Sequence, residues 1–298
     1  MTNRFGYNKV TDLKYDMHWL LQRQLDMLEN ATRFDFDAPM IIDGEIEGTG
    51  KSVLAQQVAY YLAWKSGKKL TIDHIVFTPN QFIAAIDKAE KRDAIIWDEA
   101  YAGNSKYRQA SQREQIIQNI LMKIRQKNLY IVIVLPYIFD LTSYLGITRT
   151  WFLLHANLKT QADFFTEETQ DLDYEQTVLI RGFYGFYSRN RKKALFLSGR
   201  QEYDYSKVPP VFTGIFPRVY TVDEQAYKDK KLKYALDDDD KKKPELTEAD
   251  WIKACLRRNM PTALLRKYAK TPDYVYQIKR EIREEVPQEE EKNLTING

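Results

Sequence analysis

The sequence predicts an α/β protein: a mostly parallel sheet covered by helices, then a β-hairpin region and a small C-terminal three-helix module of helix-turn-helix type. Three observations carry this. Apolar runs rich in β-branched residues, such as Leu129-Tyr130-Ile131-Val132-Ile133-Val134-Leu135, read as strands buried on both faces. Segments with apolar residues at helical spacing alternate with them. Two of the strands end in residue types that handle phosphate and metal.

Taken in order, Asp12 to Asn30 predicts a helix, with Leu13, Met17, Leu20, Leu21, Leu25 and Leu28 on one face. Met40-Ile41-Ile42 is a buried strand, and Ser52 to Lys65 a helix. Asp73 to Thr78 is a short strand, and Pro79 then opens a helix through Phe82, Ile83 and Ile86. Ala94 to Trp97 is a strand and Ser111 to Lys127 an amphipathic helix. Leu129 to Leu135 and Thr150 to Ala156 are further strands. From Val178 to Tyr205 the chain is aromatic and then basic, which suggests a hairpin with its tip at Ser188 to Lys193. Such a tip can bind nucleic acid, cations on phosphate and rings on bases. The plainer reading, which we favour, is a solvated tip over inward-packed aromatics. The run Asp237 to Asp240 followed by Lys241 to Lys243 reads as a linker. The expected domains are therefore an N-terminal helical segment (1–37), an α/β domain with hairpin extension (38–215), a charged linker (216–246), the three-helix module (247–284) and an acidic tail (285–298).

The segment Gly44-Glu45-Ile46-Glu47-Gly48-Thr49-Gly50-Lys51-Ser52-Val53 lies between a predicted strand and a predicted helix. In that setting, loop N–H groups and the helix N-terminus face the phosphates of a nucleotide such as ATP. Lys51 then reaches the β/γ-phosphates, and the Ser52 hydroxyl ligates Mg²⁺. The usual spacing places the first glycine where Glu45 stands; here Gly44 is one residue earlier. The strand Ala94 to Trp97 ends in Asp98-Glu99. Asp98 suits the Mg²⁺ shell, and Glu99 suits a general base that polarises the attacking water. Two solvated acids at a strand end are the plain alternative, and the phosphate loop before them argues against it.

Composition narrows the classes. Cys255 is the only cysteine, so the chain has no internal disulfide and no cysteine-based metal site. His18, His74 and His155 show no ligand spacing. No apolar run approaches the ~20 residues of a bilayer span, and the N-terminus lacks a signal-peptide pattern. A cytoplasmic protein without a membrane segment is expected. The net charge of +3 does not by itself imply nucleic acid, but its distribution is uneven. Between Trp251 and Arg283 nine Lys or Arg face two acids, over three predicted short helices (Thr247 to Asn259, Pro261 to Lys270, and one capped by Thr271). That pattern suits a phosphate-facing surface, with a docking or oligomerising helical cap as the alternative.

With Gly48-Thr49-Gly50-Lys51-Ser52, Trp97-Asp98-Glu99-Ala100 and Ile124-Arg125-Gln126-Lys127-Asn128 running into Leu129 to Pro136, residues 38–156 resemble P-loop ATPases of the FtsK/HerA-like branch. Within it they are similar to virus- and plasmid-encoded zonular occludens toxin-like ATPases. The resemblance implies a P-loop NTPase fold, ATP and Mg²⁺, a homo-oligomeric ring, and an arginine that reaches the neighbour's γ-phosphate. Of Arg108, Arg113, Arg125 and Arg149, it favours Arg125 or Arg149. Leu135-Pro136 stands where relatives carry a polar sensor, and Asp140, Thr142 or Ser143 could substitute. Toxin-like members tend to carry a membrane segment, and none is evident here. The implied activity is an ATP-hydrolysing nucleic-acid motor, such as a DNA packaging or translocation ATPase of a virus or mobile element. The alternatives are a replication initiator or helicase loader, and a nucleotide-gated DNA-binding regulator.

Overall fold

A computed structural model of the chain describes residues 7–9, 15–98, 127–160, 179–236 and 272–285, together with positions 252, 256 and 262. The chain divides into two compact units, Met1–Tyr234 and Ala235–Gly298.

The first unit is built on a seven-stranded mixed sheet. Its strands are β3 (Ala38–Asp43), β4 (Ile75–Val76), β5 (Ala94–Trp97), β6 (Tyr130–Val134), β7 (Leu153–Thr160), β8 (Leu179–Tyr187) and β9 (Phe212–Ile215), in the spatial order β4-β5-β6-β3-β7-β8-β9. The five strands from β4 to β7 run parallel, and β8 and β9 join antiparallel. A separate two-stranded ribbon pairs β1 (Tyr7–Lys9) with β2 (Asp16–His18).

Every residue of β3, β5 and β6 is buried, as befits strands covered on both faces. Successive residues serve opposite cores. Met40, Ile42, Val132, Val134 and Ile96 join one cluster with Leu21, Leu25 and Leu28 of α1 (Trp19–Arg33) and Val58 and Leu62 of α2 (Lys51–Lys65). Ile41, Ile131, Ile133, Ile95 and Trp97 join the other with Phe82 and Ile86 of α3 (Pro79–Lys88) and Leu195 and Phe196 of α4 (Arg189–Gly199). The two-residue alternation of a strand thus serves two helical layers. The start of α3 is fixed by a reciprocal cap: Gln81 N–H donates to the Thr78 hydroxyl (3.2 Å) and Thr78 N–H to the Gln81 amide oxygen (3.4 Å).

Three expectations need correction. The first helix begins at Trp19 rather than at Asp12, because Asp16–His18 are drawn into the β1–β2 ribbon. The hairpin with a basic tip is not formed: β8 ends at Tyr187, and residues 189–199 are helical. The buried residues of α4 are Lys192, Leu195, Phe196 and Gly199, a helical spacing hidden because its first member is a lysine. Its ammonium donates to Thr150 O (2.7 Å), the Thr150 hydroxyl (2.5 Å) and Ile147 O (3.5 Å), at the end of the π-helical turn Tyr144–Arg149. Finally, much of the expected linker belongs to the first unit. Residues 224–236 form α5, whose Tyr227 is buried against Phe77 and whose Lys230 donates to Ile72 O (2.9 Å) and Ile75 O (2.6 Å).

In the second unit α6 (Pro272–Glu285) buries Val275 and Ile278, and Lys279 donates to the Thr262 hydroxyl (3.3 Å). Most of the expected three-helix module, and all of the helix expected over Ser111 to Lys127 except Lys127 itself, lie outside the described residues. No described helix is long and apolar enough to cross a membrane.

Candidate functional site

The phosphate-loop segment connects the end of β3 to the start of α2, and three glycines shape it. Gly44 is buried; its N–H donates to Pro136 O (3.1 Å), and a Cβ there would lie 2.4 Å from Ala156 O. Gly44 is therefore wedged between the exit of β6 and β7, where only a glycine fits, and the chain first bends at Glu45. Gly48 (φ +80°) and Gly50 (φ +97°) hold left-handed conformations that favour glycine. Gly50 caps α2 with no side-chain acceptor, which leaves the positive helix end facing the loop. Glu45, Ile46 and Glu47 are exposed, while Thr49 and Val53 are buried. The Thr49 hydroxyl has no hydrogen-bond partner.

Lys51 turns back over this loop. Its ammonium donates to Gly44 O (2.7 Å) and Ile46 O (3.3 Å). Burial pushes its pKa below the ordinary lysine value and Lys231 adds to this, while Asp43, Glu47 and Asp98 oppose it. Ser52 donates to Asp98 Oδ1 (3.1 Å), so the two predicted metal ligands meet although β6 lies between β3 and β5. Asp98 is buried, and its other oxygen, Oδ2, accepts from the Tyr227 hydroxyl of α5 (2.6 Å). A hydroxyl beside a carboxylate is a hard-oxygen donor set of the kind Mg²⁺ uses, so these residues fit that ion.

Asp43, the last residue of β3, anchors the loop from below. It is fully buried, with Oδ1 2.8 Å from His155 Nδ1 and Oδ2 accepting from the Tyr205 hydroxyl (2.5 Å) and Ile138 N–H (2.9 Å). The His155 and Tyr205 rings stack at 3.8 Å. Burial, and then the Asp43 charge, push the Tyr205 hydroxyl far above its ordinary pKa, so it stays a donor. Sequence reasoning missed this cluster, whose members are far apart in the chain, and it missed Tyr227.

A cavity of about 910 Å³ opens over the loop. Asp98, Tyr137, Phe216 and Tyr227 line it, as do five cations (Lys51, Arg181, Arg218, Lys228 and Lys231), against the acids Glu45, Glu47 and Asp98. None of Asp140, Thr142 and Ser143 lines it; Asp140 instead accepts from the Tyr203 hydroxyl (2.6 Å). Arg149 lies at the other end of β3, where its guanidinium grips both oxygens of Asp37. Glu99, Arg108, Arg113 and Arg125 fall outside the described residues. Compared with known proteins, the chain matches no protein-family model and no curated protein.

Proposed function

We propose that the first unit binds ATP with Mg²⁺ and hydrolyses its β–γ bond. The observation that carries this reading is the Ser52–Asp98 contact: a hydroxyl in the first turn of α2, next to Lys51, and a strand-end carboxylate meet across an interposed strand. In this reading the loop N–H groups and Lys51 hold the phosphates, and Ser52 and Asp98 hold Mg²⁺. Bound there, the ion would neutralise charge on the phosphate oxygens. Glu99, next in sequence to Asp98, takes the role of general base. The test is phosphate release by the wild type and by Lys51→Ala and Glu99→Gln. Loss of turnover in both, with ATP still bound by Glu99→Gln, supports the reading; equal rates in all three overturn it.

The wider role we propose is a nucleic-acid motor, ring-forming and DNA-directed. Its support is the sequence resemblance and the nine basic residues between Trp251 and Arg283. Stimulation of turnover by duplex DNA tests it. A second reading, a nucleotide-gated DNA-binding regulator, is favoured by one observation. Tyr227, on α5 near the end of the first unit in sequence, is bonded to the proposed metal ligand Asp98. Slow turnover indifferent to DNA, with DNA affinity that depends on nucleotide, would select that reading over the motor.

A further inference from the structure

Arg181 stands out among the cations of the cavity. It is exposed on β8, lines the cavity over the loop, and makes no hydrogen bond or ion pair among the described residues. A Cβ built on Gly48 would lie 3.7 Å from Arg181 Nη2, 3.8 Å from Cζ and 3.9 Å from Nη1. These near-equal distances set the guanidinium plane flat over the glycine. Its N–H edge is then left without a protein acceptor, beside a loop already shaped for anions.

The backbone is built to put it there. Opposite Arg181, the β7–β8 register breaks between Asn157 and Lys159. The next residue, Gly182, is buried at φ +94°, and a Cβ on it would lie 2.6 Å from Phe216 O. Phe216 N–H donates to Gly182 O (2.7 Å), and the Phe216 ring closes on Gly50, within 3.0 Å of where a Cβ would stand. A register break beside a left-handed glycine re-aims the adjoining side chain, and such irregularities gather next to active sites. Here they turn β8 so that Arg181 covers the phosphate loop while Phe216 closes its flank. Nearby, the Thr49 hydroxyl is buried to 1 % exposure without a partner.

We propose that Arg181 is a phosphate ligand contributed in cis, a second cation on the polyphosphate tail of the nucleotide alongside Lys51. The inference rests on the ATP-binding reading above and deepens it. A guanidinium offers a planar fork of donors to phosphate oxygens, which an ammonium does not. The contribution should grow with the charge of the tail, so ATP should gain more than ADP.

Calorimetric titration with MgATP and MgADP tests this on the full-length wild type, Lys51→Ala, Arg181→Ala and Arg181→Lys. Arg181→Ala should weaken MgATP binding about 10- to 100-fold, and MgADP binding less. The melting temperature without nucleotide should be unchanged, and Arg181→Lys should recover part of the loss. If Arg181→Ala binds MgATP like the wild type while Lys51→Ala does not, this inference falls and the ATP-binding reading stands. Binding lost equally in Arg181→Ala and Arg181→Lys, with a lowered melting temperature, would make Arg181 structural and also overturn it. If the wild type binds no MgATP, both fall together.

Discussion

The two ends of β3 treat the cations beside them differently. At the entry end the carboxylates are buried and paired. Arg149 is bonded to both oxygens of Asp37, whose backbone carbonyl also accepts from the Trp151 indole (2.9 Å). Glu29, 5 % exposed at its side chain, takes both Arg33 and Arg92. Lys127 is spent on three carbonyls, those of Ile86, Asp87 and Ala89. At the exit end Asp43 is fully bonded and Arg218 and Lys228 share Glu224 (3.9 and 2.6 Å), but Lys51 rests on loop carbonyls alone and Arg181 has no partner among the described residues. One end is closed by ion pairs; the other is open, with Lys51 and Arg181 bonded to no described carboxylate. An arginine near a core strand therefore says little about function until its partner is known: Arg149 and Arg181 differ in pairing, not in type.

Removing the loop lysine should break the open end most severely. Lys51→Ala is expected to lower the rate of phosphate release on the order of 10²–10³-fold with the fold intact. A variant with wild-type turnover would remove the functional contrast between the ends.

At the closed end the same kind of truncation should strike stability. Arg149→Ala leaves Asp37, 7 % exposed at its side chain, without its cation. Breaking such a pair costs about 3–5 kcal/mol, which lowers the melting temperature by roughly 10 °C. The hydrolysis rate per folded molecule should be unchanged. Thermal unfolding alongside turnover checks both halves, and a variant with normal melting but impaired turnover would return Arg149 to the arginine-finger role.

Lys192 sharpens the contrast through pH. It belongs to the closed end, on the carbonyls that precede β7, and burial followed by the Arg189 charge lowers its pKa from 10.5 to about 7. Between those two values the unfolded chain holds a proton that the native lysine has lost. Unfolding then takes up a proton, so this residue makes stability rise with pH above about 7, and the gain is lost as pH falls back through that value. The slope is at most about 1.4 kcal/mol per pH unit. Denaturation midpoints of the wild type and Lys192→Met from pH 6 to 10 should diverge accordingly, and parallel curves would count against it.

What was legible in the sequence follows the same division. The strand, loop and helix around Gly48 to Ser52 and the strand end at Asp98 were readable because each is a short contiguous segment. The parallel strands were readable because burial on both faces leaves unbroken apolar runs. Arg181, Tyr227 and the Asp43–His155–Tyr205 cluster were not, since each depends on contacts between segments far apart in the chain. The α4 helix was misread for a different reason: Lys192 counts as polar by residue type, yet its long stem and three acceptors let it occupy a core position. The extra residue between Gly44 and Gly50 was visible as a spacing anomaly, but only the approach of Ala156 O shows that position 44 admits nothing larger than glycine.

At the open end Tyr227 holds one oxygen of Asp98, as Ser52 holds the other. Its hydroxyl donates to Asp98 Oδ2, while its ring packs with Phe77 and Tyr220. Mg²⁺ binding at Asp98 has to compete with that bond. Tyr227→Phe keeps the ring and removes the competing hydroxyl. The concentration of Mg²⁺ that half-saturates MgATP binding should fall about three- to tenfold. Without nucleotide the protein should lose about 1–3 kcal/mol of stability, because Asp98 remains buried with one donor fewer. Affinity gained as stability is lost marks a residue that holds the metal ligand in reserve, a combination that no closed-end substitution should produce. If the Mg²⁺ requirement is unmoved while stability drops, Tyr227 is only packing, and the open end then has no internal competitor for its metal.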